Sequence, residues 1–204
     1  MSTVVVSSPI TNTTSAGNIS LSGPVTVSNE VEIKNDSGSP VPISGKNYQT
    51  VLSITRPGDT AIYAAGDVVG ISTSAGGAVL TLTNIGSSSS GIIITDLLLI
   101  IEVAAIPSGM TSFNLHLYNA SPASNLGDNA PFVFAAADVA NYLGTIGISQ
   151  PAVFGSYLMV RLTGINFKCT MPAGTSLYAY LQTVGGYTPT SGAVKLLDVE
   201  AIGV

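Results

Sequence analysis

The chain has 204 residues, of which 46% are hydrophobic and only 8% are charged, and its formal net charge is −5. About a quarter of the residues of an average soluble protein are charged, so this composition predicts a polar but nearly uncharged surface. The length fits one compact domain with an appendage, and the six scattered Lys and Arg residues argue against a phosphate-binding patch for nucleic acid.

The longest apolar run, residues 92–106, argues against a membrane span. It contains Asp96 and Glu102, and it is shorter than the roughly 20 apolar residues that a spanning helix needs. We predict a buried strand or strand pair there. The first basic residue is Lys34, so no charged segment precedes an apolar core, and we expect synthesis without Sec export. Cys169 is the only cysteine, which excludes an internal disulfide and a four-cysteine metal site.

The first 46 residues form a segment without Phe, Tyr or Trp, and Gly17, Gly23, Pro24 and Pro40 interrupt it. Such a segment cannot build much of a core alone. We predict an extended N-terminal β arm or small β module that gains its contacts from a neighbouring subunit or surface; the alternative is that it supplies edge strands to the main domain. Its candidate interface residues are Val4, Val5, Val6, Ile19, Leu21, Val25, Val27, Val31 and Ile33.

Residues 47–204 show the two-residue period of half-buried strands. In residues 113–118 the apolar Phe113, Leu115 and Leu117 alternate with polar residues, and similar alternation occurs in 157–162, 177–182 and 193–204. The last of these predicts a strand that reaches almost to the C-terminus, with Lys195 on the same side as Leu197. Frequent turn clusters separate the segments, for example 56–59, 86–91 and 185–189. We predict an antiparallel β-sandwich of jelly-roll type, with one helical turn in residues 135–142.

Residues with catalytic or ligand-binding chemistry are few. His116 is the only histidine, and its position on the polar side of a strand predicts a contact residue or an ordinary surface histidine. No nucleophile elbow, phosphate loop or HExxH motif occurs, so we predict no enzyme activity, no cofactor and no metal. Four aspartates in turn regions are expected to cap backbone N–H groups: Asp59, Asp67, Asp128 and Asp138.

Tyrosines supply the remaining candidates. Tyr178, Tyr180 and Tyr187 could stack on a sugar ring, but packing between sheets or at an interface is the favoured interpretation because the chain has no Trp. Together with His116 and Tyr118, these three tyrosines complete the candidate interface residues.

Several segments resemble a family of tailed-bacteriophage virion structural proteins of the head-decoration, or cement, type: residues 55–70, 106–118, 138–144, 177–180 and 186–190. The resemblance implies a jelly-roll sandwich that clusters, with trimers favoured, on the capsid exterior and braces the joints between hexamers of the major capsid protein. Residues 31–38 of the arm are similar to adaptor segments that precede distal domains in other phage proteins. No catalytic residue comes with this family.

The resemblance thus implies a protein made in the host cytoplasm and located in the virion, whose partners are the major capsid protein and further copies of itself, and the composition predicts no nucleic acid and no membrane as partners. It would stabilise the capsid by self-association and docking. The alternative is a tail-associated or receptor-binding fibre module that contacts the host surface through loops 87–91 and 185–190. An enzyme acting on cell-surface polymer is disfavoured because its motifs are missing.

Overall fold

The computed structural model describes residues 45–204, which belong to one compact unit. The arm and its nine candidate interface residues lie outside the described residues, and the boundary between residues 46 and 47 stays a prediction. The described chain contains one 3₁₀ helix, Ala136–Asn141, where the sequence predicted a helical turn. Its strands are β1 (Asn47–Thr55), β2 (Val68–Val69), β3 (Leu80–Leu82), β4 (Gly91–Ile101), β5 (Phe113–Tyr118), β6 (Tyr142–Ile148), β7 (Ala152–Phe154), β8 (Tyr157–Thr170), β9 (Leu177–Thr183) and β10 (Val194–Gly203).

The strands form two antiparallel sheets. The first sheet has the order β1-β10-β4-β8-β7, and the second has the order β2-β9-β5-β6, with β3 also paired to β9. The chain crosses between the sheets repeatedly, so strands distant in sequence become neighbours. This two-sheet sandwich resembles jelly rolls, and it confirms the predicted all-β antiparallel sandwich and the C-terminal strand.

Alternate side chains of each strand fill the core between the sheets. On β10, Lys195, Leu197, Val199 and Ala201 are buried and their neighbours are half-buried, as the sequence predicted. On β4 the buried set changes phase, from Ile92 and Ile94 to Leu97, Leu99 and Ile101.

A β-bulge between Ile94 and Asp96 causes this change of phase. An extra residue in one strand reverses which side chains face inward. Without the bulge, Asp96 would face the core; with it, residues 91–101 form one continuous strand instead of a strand pair.

Gly127 lies in the loop that follows β5, where the backbone of another loop packs closely against it. A Cβ atom at this position would overlap the carbonyl oxygen of Thr73 and lie 2.7 Å from that of Ser74, both of them backbone atoms. We expect Gly127→Ala to lower the free energy of unfolding by about 1–3 kcal/mol, measured by urea denaturation. The control is Gly147→Ala in β6, where a Cβ atom meets nothing within 4 Å. Equal losses in the two variants would contradict the overlap.

Candidate functional site

The five candidate residues of the described chain lie mostly inside the subunit. Tyr118 and Tyr180 are fully buried, Tyr187 and His116 are buried, and only Tyr178 is half-buried. An interface role for these residues stays a prediction, but four of them offer little surface to a partner.

Tyr118, Tyr180 and His116 are buried because another segment of the chain covers the outer face of the second sheet. Tyr118 and Tyr180 point away from the core between the sheets, onto the outer face of the second sheet, whereas the sequence favoured packing of Tyr180 between the sheets or at an interface. They form a second buried cluster with Val68 and Ala78, against which Leu126, Ala130 and Phe132 pack. The chain between β5 and β6 therefore covers this outer face, and both faces of β5 are buried. The prediction of a half-buried β5 is wrong, because alternation along one strand does not show what another segment covers.

His116 is held in this covered face by contacts on both ring nitrogens. Its Nε2–H donates to Oε1 of Gln182 at 3.0 Å, and Nδ1 accepts from the hydroxyl of Thr145 at 2.9 Å. The ring stacks on Phe132, with 4.0 Å between centroids. The interpretation of His116 as a surface histidine is wrong, since only 8% of it is exposed.

Acid is expected to destabilise the fold through His116. Burial lowers the pKa of His116 below its ordinary 6.5, so the unfolded chain takes up a proton first as the pH falls through about 6.5. The free energy of unfolding therefore decreases as the pH falls below about 6.5, because protonation of His116 favours the unfolded chain. We expect His116→Gln to lose less free energy of unfolding than the wild type between pH 7 and pH 5, measured by urea denaturation at both values. Equal losses would show that His116 carries none of the acid sensitivity.

Tyr187 belongs to a buried polar cluster at one end of the sandwich. Its backbone pairs with that of Tyr63 through two hydrogen bonds of 3.0 Å, and the two rings lie 5.2 Å apart. The Tyr63 hydroxyl donates to Oδ1 of Asp128 at 2.6 Å and accepts from Nε of Arg56 at 3.1 Å. Nε of Arg56 lies 3.8 Å from Oδ2 of Asp128. Lys195, almost fully buried, interacts electrostatically with Asp128 and Arg56 and lines a small cavity with Tyr187.

A buried lysine beside a tyrosine and a carboxylate is also a combination found in active sites. The adjoining cavity, however, has a volume of about 10 Å³, which is the room that a single water molecule needs. Burial also raises the pKa of Tyr63 and Tyr187, which keeps both phenols protonated. The contacts of this cluster hold loops together and leave no room for a substrate.

The four turn aspartates confirm their predicted capping role. Asp59 accepts from the N–H of Ala61, Asp67 from Ala64, Asp128 from Gly70, and Asp138 from Ala123 and Ser124. Each carboxylate satisfies backbone donors of a loop, which is the usual reason for aspartate in turns. Within residues 45–204, no group of three or more His, Cys, Asp or Glu side chains is arranged to hold a metal ion.

The first sheet differs from the second because nothing in the described chain covers its outer face. Leu196 pairs with Ile100, Ile100 with Met159, and Phe154 with Tyr157, so their side chains stand side by side. Phe154 is 67% exposed and Tyr157 46% exposed, while the others are half-buried. We call this surface the outer apolar patch; it comprises Leu98, Ile100, Phe154, Tyr157, Met159 and Leu196.

Charged and polar residues occupy the other half of the same face. Arg161 lies 3.4 Å from Glu200 and 3.8 Å from Asp96, and Gln49 donates to Asp198 at 2.9 Å. An apolar centre beside a polar rim is the usual anatomy of a protein–protein interface. This arrangement makes the outer apolar patch a candidate interaction surface.

Sequence reasoning missed the outer apolar patch. The signal was the unbroken apolar run Leu97–Ile101, in which the residues between the core positions are also apolar. A strand exposed to water on one face alternates with polar residues instead. The loop at 185–190, predicted to face outward, is largely packed: Tyr187 and Pro189 are buried.

Comparison with known proteins gives structural likenesses only. No protein-family model and no curated protein matches the chain. Among solved structures, it is similar to a chain of the cyanophage Pam1 capsid asymmetric unit, with 14% identity, a TM-score of 0.34, and coverage of 84% of this chain and 97% of that one.

Two further structures are similar to the chain. One is the full particle of Israeli acute paralysis virus heated to 63 degrees, with 12% identity, a TM-score of 0.30, and coverage of 89% and 85%. The other is the K3 adhesin domain of Lys-gingipain from Porphyromonas gingivalis, with 14% identity, a TM-score of 0.23, and 62% of each chain covered. All three TM-scores are below 0.5, so these likenesses carry no argument about function.

In the part of the chain that the structure describes, no helix has the length and apolar character to cross a membrane.

Proposed function

We propose that this chain is a non-enzymatic decoration, or cement, protein of a tailed-bacteriophage capsid, which docks on the major capsid protein lattice and associates with further copies of itself, favouring trimers. The observation that carries the assembly role is the outer apolar patch. Water-exposed apolar surface that is contiguous and bordered by polar residues is typical of sites where another protein binds. The kind of assembly, a phage capsid, is proposed from the resemblance to phage decoration proteins, which covers residues 55–70, 106–118, 138–144, 177–180 and 186–190.

Low charge suits this role. A decoration protein gains its binding energy at many identical sites, and burial of apolar surface contributes about 25 cal/mol per Å² without ion pairs that salt would weaken. Ion pairs at a surface would be screened at physiological ionic strength. The chain has few charges to begin with, and Arg161 already pairs within the sheet.

The test is cryo-electron microscopy of particles from a phage that encodes this chain. We compare the wild type with the double variant Phe154→Ser/Tyr157→Ser, and with the control Val133→Ser/Phe134→Ser, which removes exposed apolar side chains elsewhere. We expect regular density on the capsid lattice in the wild type and control, and its loss in the patch variant. Density confined to the tail, or none on the head, would overturn the proposal and favour the receptor-binding module.

A further inference from the structure

One long edge of the first sheet has no partner among residues 45–204. Strand β8 pairs with β4 along nearly its whole length, but on its other side β7 covers only Tyr157–Met159. The outer edge of β8 from Val160 to Thr170 therefore presents backbone N–H and C=O groups to which another strand can bind.

The sandwich is open beside this edge. Val160, Leu162, Ile165 and Phe167 of β8 pack against the core but remain half-buried, and so does Leu143 of β6, the edge strand of the second sheet. Core-facing residues of the central strands β4 and β10, such as Leu97 and Leu197, are 0–1% exposed. The two sheet edges thus leave apolar side chains partly uncovered between them.

We propose that residues 25–34 of a neighbouring copy of this chain bind along this edge as an added strand, with their apolar side chains over the open side of the sandwich. This inference deepens the proposed function, on which it rests, by naming the two surfaces that join one copy to the next. Strand addition to an open sheet edge gains main-chain hydrogen bonds, and its alternate side chains supply specificity.

The pattern of residues 25–34 fits this edge. Val25, Val27, Val31 and Ile33 share one face of an extended strand, with Asn29 at the centre of the row. The acceptor is interrupted at its own centre: Gly164 and Asn166 have φ values of +66° and +54°, and residues 164–166 bulge out of the ladder with β4. An apolar pair of the donor lies on each side of the bulge, and the polar Asn29 faces it.

The charges of the two segments are also complementary. The opposite face of the donor carries Glu30 and Glu32, with Lys34 at its end, and therefore has a net negative charge. The outward face of β8 carries Lys168, which is exposed and makes no ion pair with the described residues, whereas the exposed Arg161 already pairs with Asp96 and Glu200. An added strand with its apolar side inward places these glutamates on the same outward face as Lys168.

The position of β1 favours donation to a neighbour. The arm joins the described chain at β1, which is the opposite edge of the sheet from β8, three strand spacings or about 14 Å away. A subunit filling its own β8 edge would have to lead its arm around the sheet. Residues 35–46 can reach up to about 40 Å when extended, which exceeds this distance, so the oligomeric state of the chain distinguishes its own edge from that of a neighbour.

The experiment uses the purified full chain, with hydrogen–deuterium exchange to follow the amides of residues 160–168 and light scattering to follow mass. The donor variant is Val27→Asp/Val31→Asp. The matched control is Thr26→Asp/Ser28→Asp, which adds the same charge on the opposite face of the same segment. Unchanged exchange in β10, at the centre of the sheet, serves as the check that each variant is folded.

We expect the wild type and the control to be oligomeric and protected at residues 160–168. The donor variant is expected to be monomeric, with exchange about tenfold faster or more in that segment. A protected edge in a monomeric wild type would overturn the inference, since the chain's own arm would then fill the edge. Rapid exchange in the wild type would also overturn it, because the bulge and Lys168 would then be devices that keep the edge unpaired.

These outcomes separate the inference from the proposed function. Strand exchange between copies in solution can occur in a protein whose density lies on the phage tail, which would contradict only the decoration role. Conversely, density on the capsid with an unprotected β8 edge would contradict only the strand donation.

Discussion

Asp128→Asn is expected to lower the free energy of unfolding by about 3–5 kcal/mol, because loss of one partner leaves a buried charge uncompensated. The carboxylate of Asp128 accepts hydrogen bonds from Tyr63 at 2.6 Å and from the N–H of Gly70 at 2.7 Å. It also faces the positive charges of Arg56 and Lys195, and both of these side chains are buried. The asparagine amide has nearly the shape of the carboxylate, but it carries no negative charge to balance the positive charges of Arg56 and Lys195. Urea denaturation at pH 7 measures the loss.

Asp59→Asn is the control, because Asp59 pairs with the same guanidinium from the surface. Its carboxylate lies 2.8 Å from Nη1 of Arg56, but the side chain is 45% exposed. Solvent screens an exposed pair, so its removal should destabilise the protein far less. Equal losses for the two variants would show that the burial of Asp128 does not determine its contribution.

The sandwich was predictable because alternation and turn residues are local signals. The C-terminal strand, the 3₁₀ helix and the capping aspartates were all read from short windows in which each residue's role depends on its near neighbours. Lys195 shows how far alternation can be relied on. Its spacing from Leu197 and Val199 predicts that this charged residue lies on the buried side of β10, and the structure confirms this position.

The coverage of each sheet's outer face was not predictable in the same way. The polar side of β5 looked exposed, but the chain that follows it folds back over Tyr118 and His116. The outer side of β4 looked buried within a continuous apolar run, but Leu98 and Ile100 are half-exposed. Both errors arise because the cover of a sheet is a tertiary contact between segments distant in sequence.

Lys195→Met is expected to raise the free energy of unfolding at pH 7 by about 3 kcal/mol. Burial lowers the pKa of Lys195 from 10.5 to about 8, and a difference of about 2.5 pKa units corresponds to about 3 kcal/mol by which the fold disfavours the charged form. Methionine keeps the volume and removes the charge. Replacement of buried charges by apolar side chains of similar size is often stabilising.

The pH dependence of stability distinguishes this cause from simple repacking. Below pH 8 lysine is protonated in both states. From pH 8 to about 10 the folded chain releases the proton while the unfolded chain keeps it, so stability rises with pH. The raised pKa values of Tyr63 and Tyr187 lower the free energy of unfolding above about pH 10, where the unfolded chain loses phenolic protons first.

We expect the free energy of unfolding to rise from pH 8 to 10 in the wild type and in the control Lys168→Met, and not to rise in Lys195→Met. A Lys195→Met variant less stable than the wild type at pH 7 would mean that the attraction between Lys195 and Asp128 outweighs the desolvation of the ammonium. The positive charges of Arg56 and Lys195 would then both be needed to stabilise the buried Asp128 carboxylate.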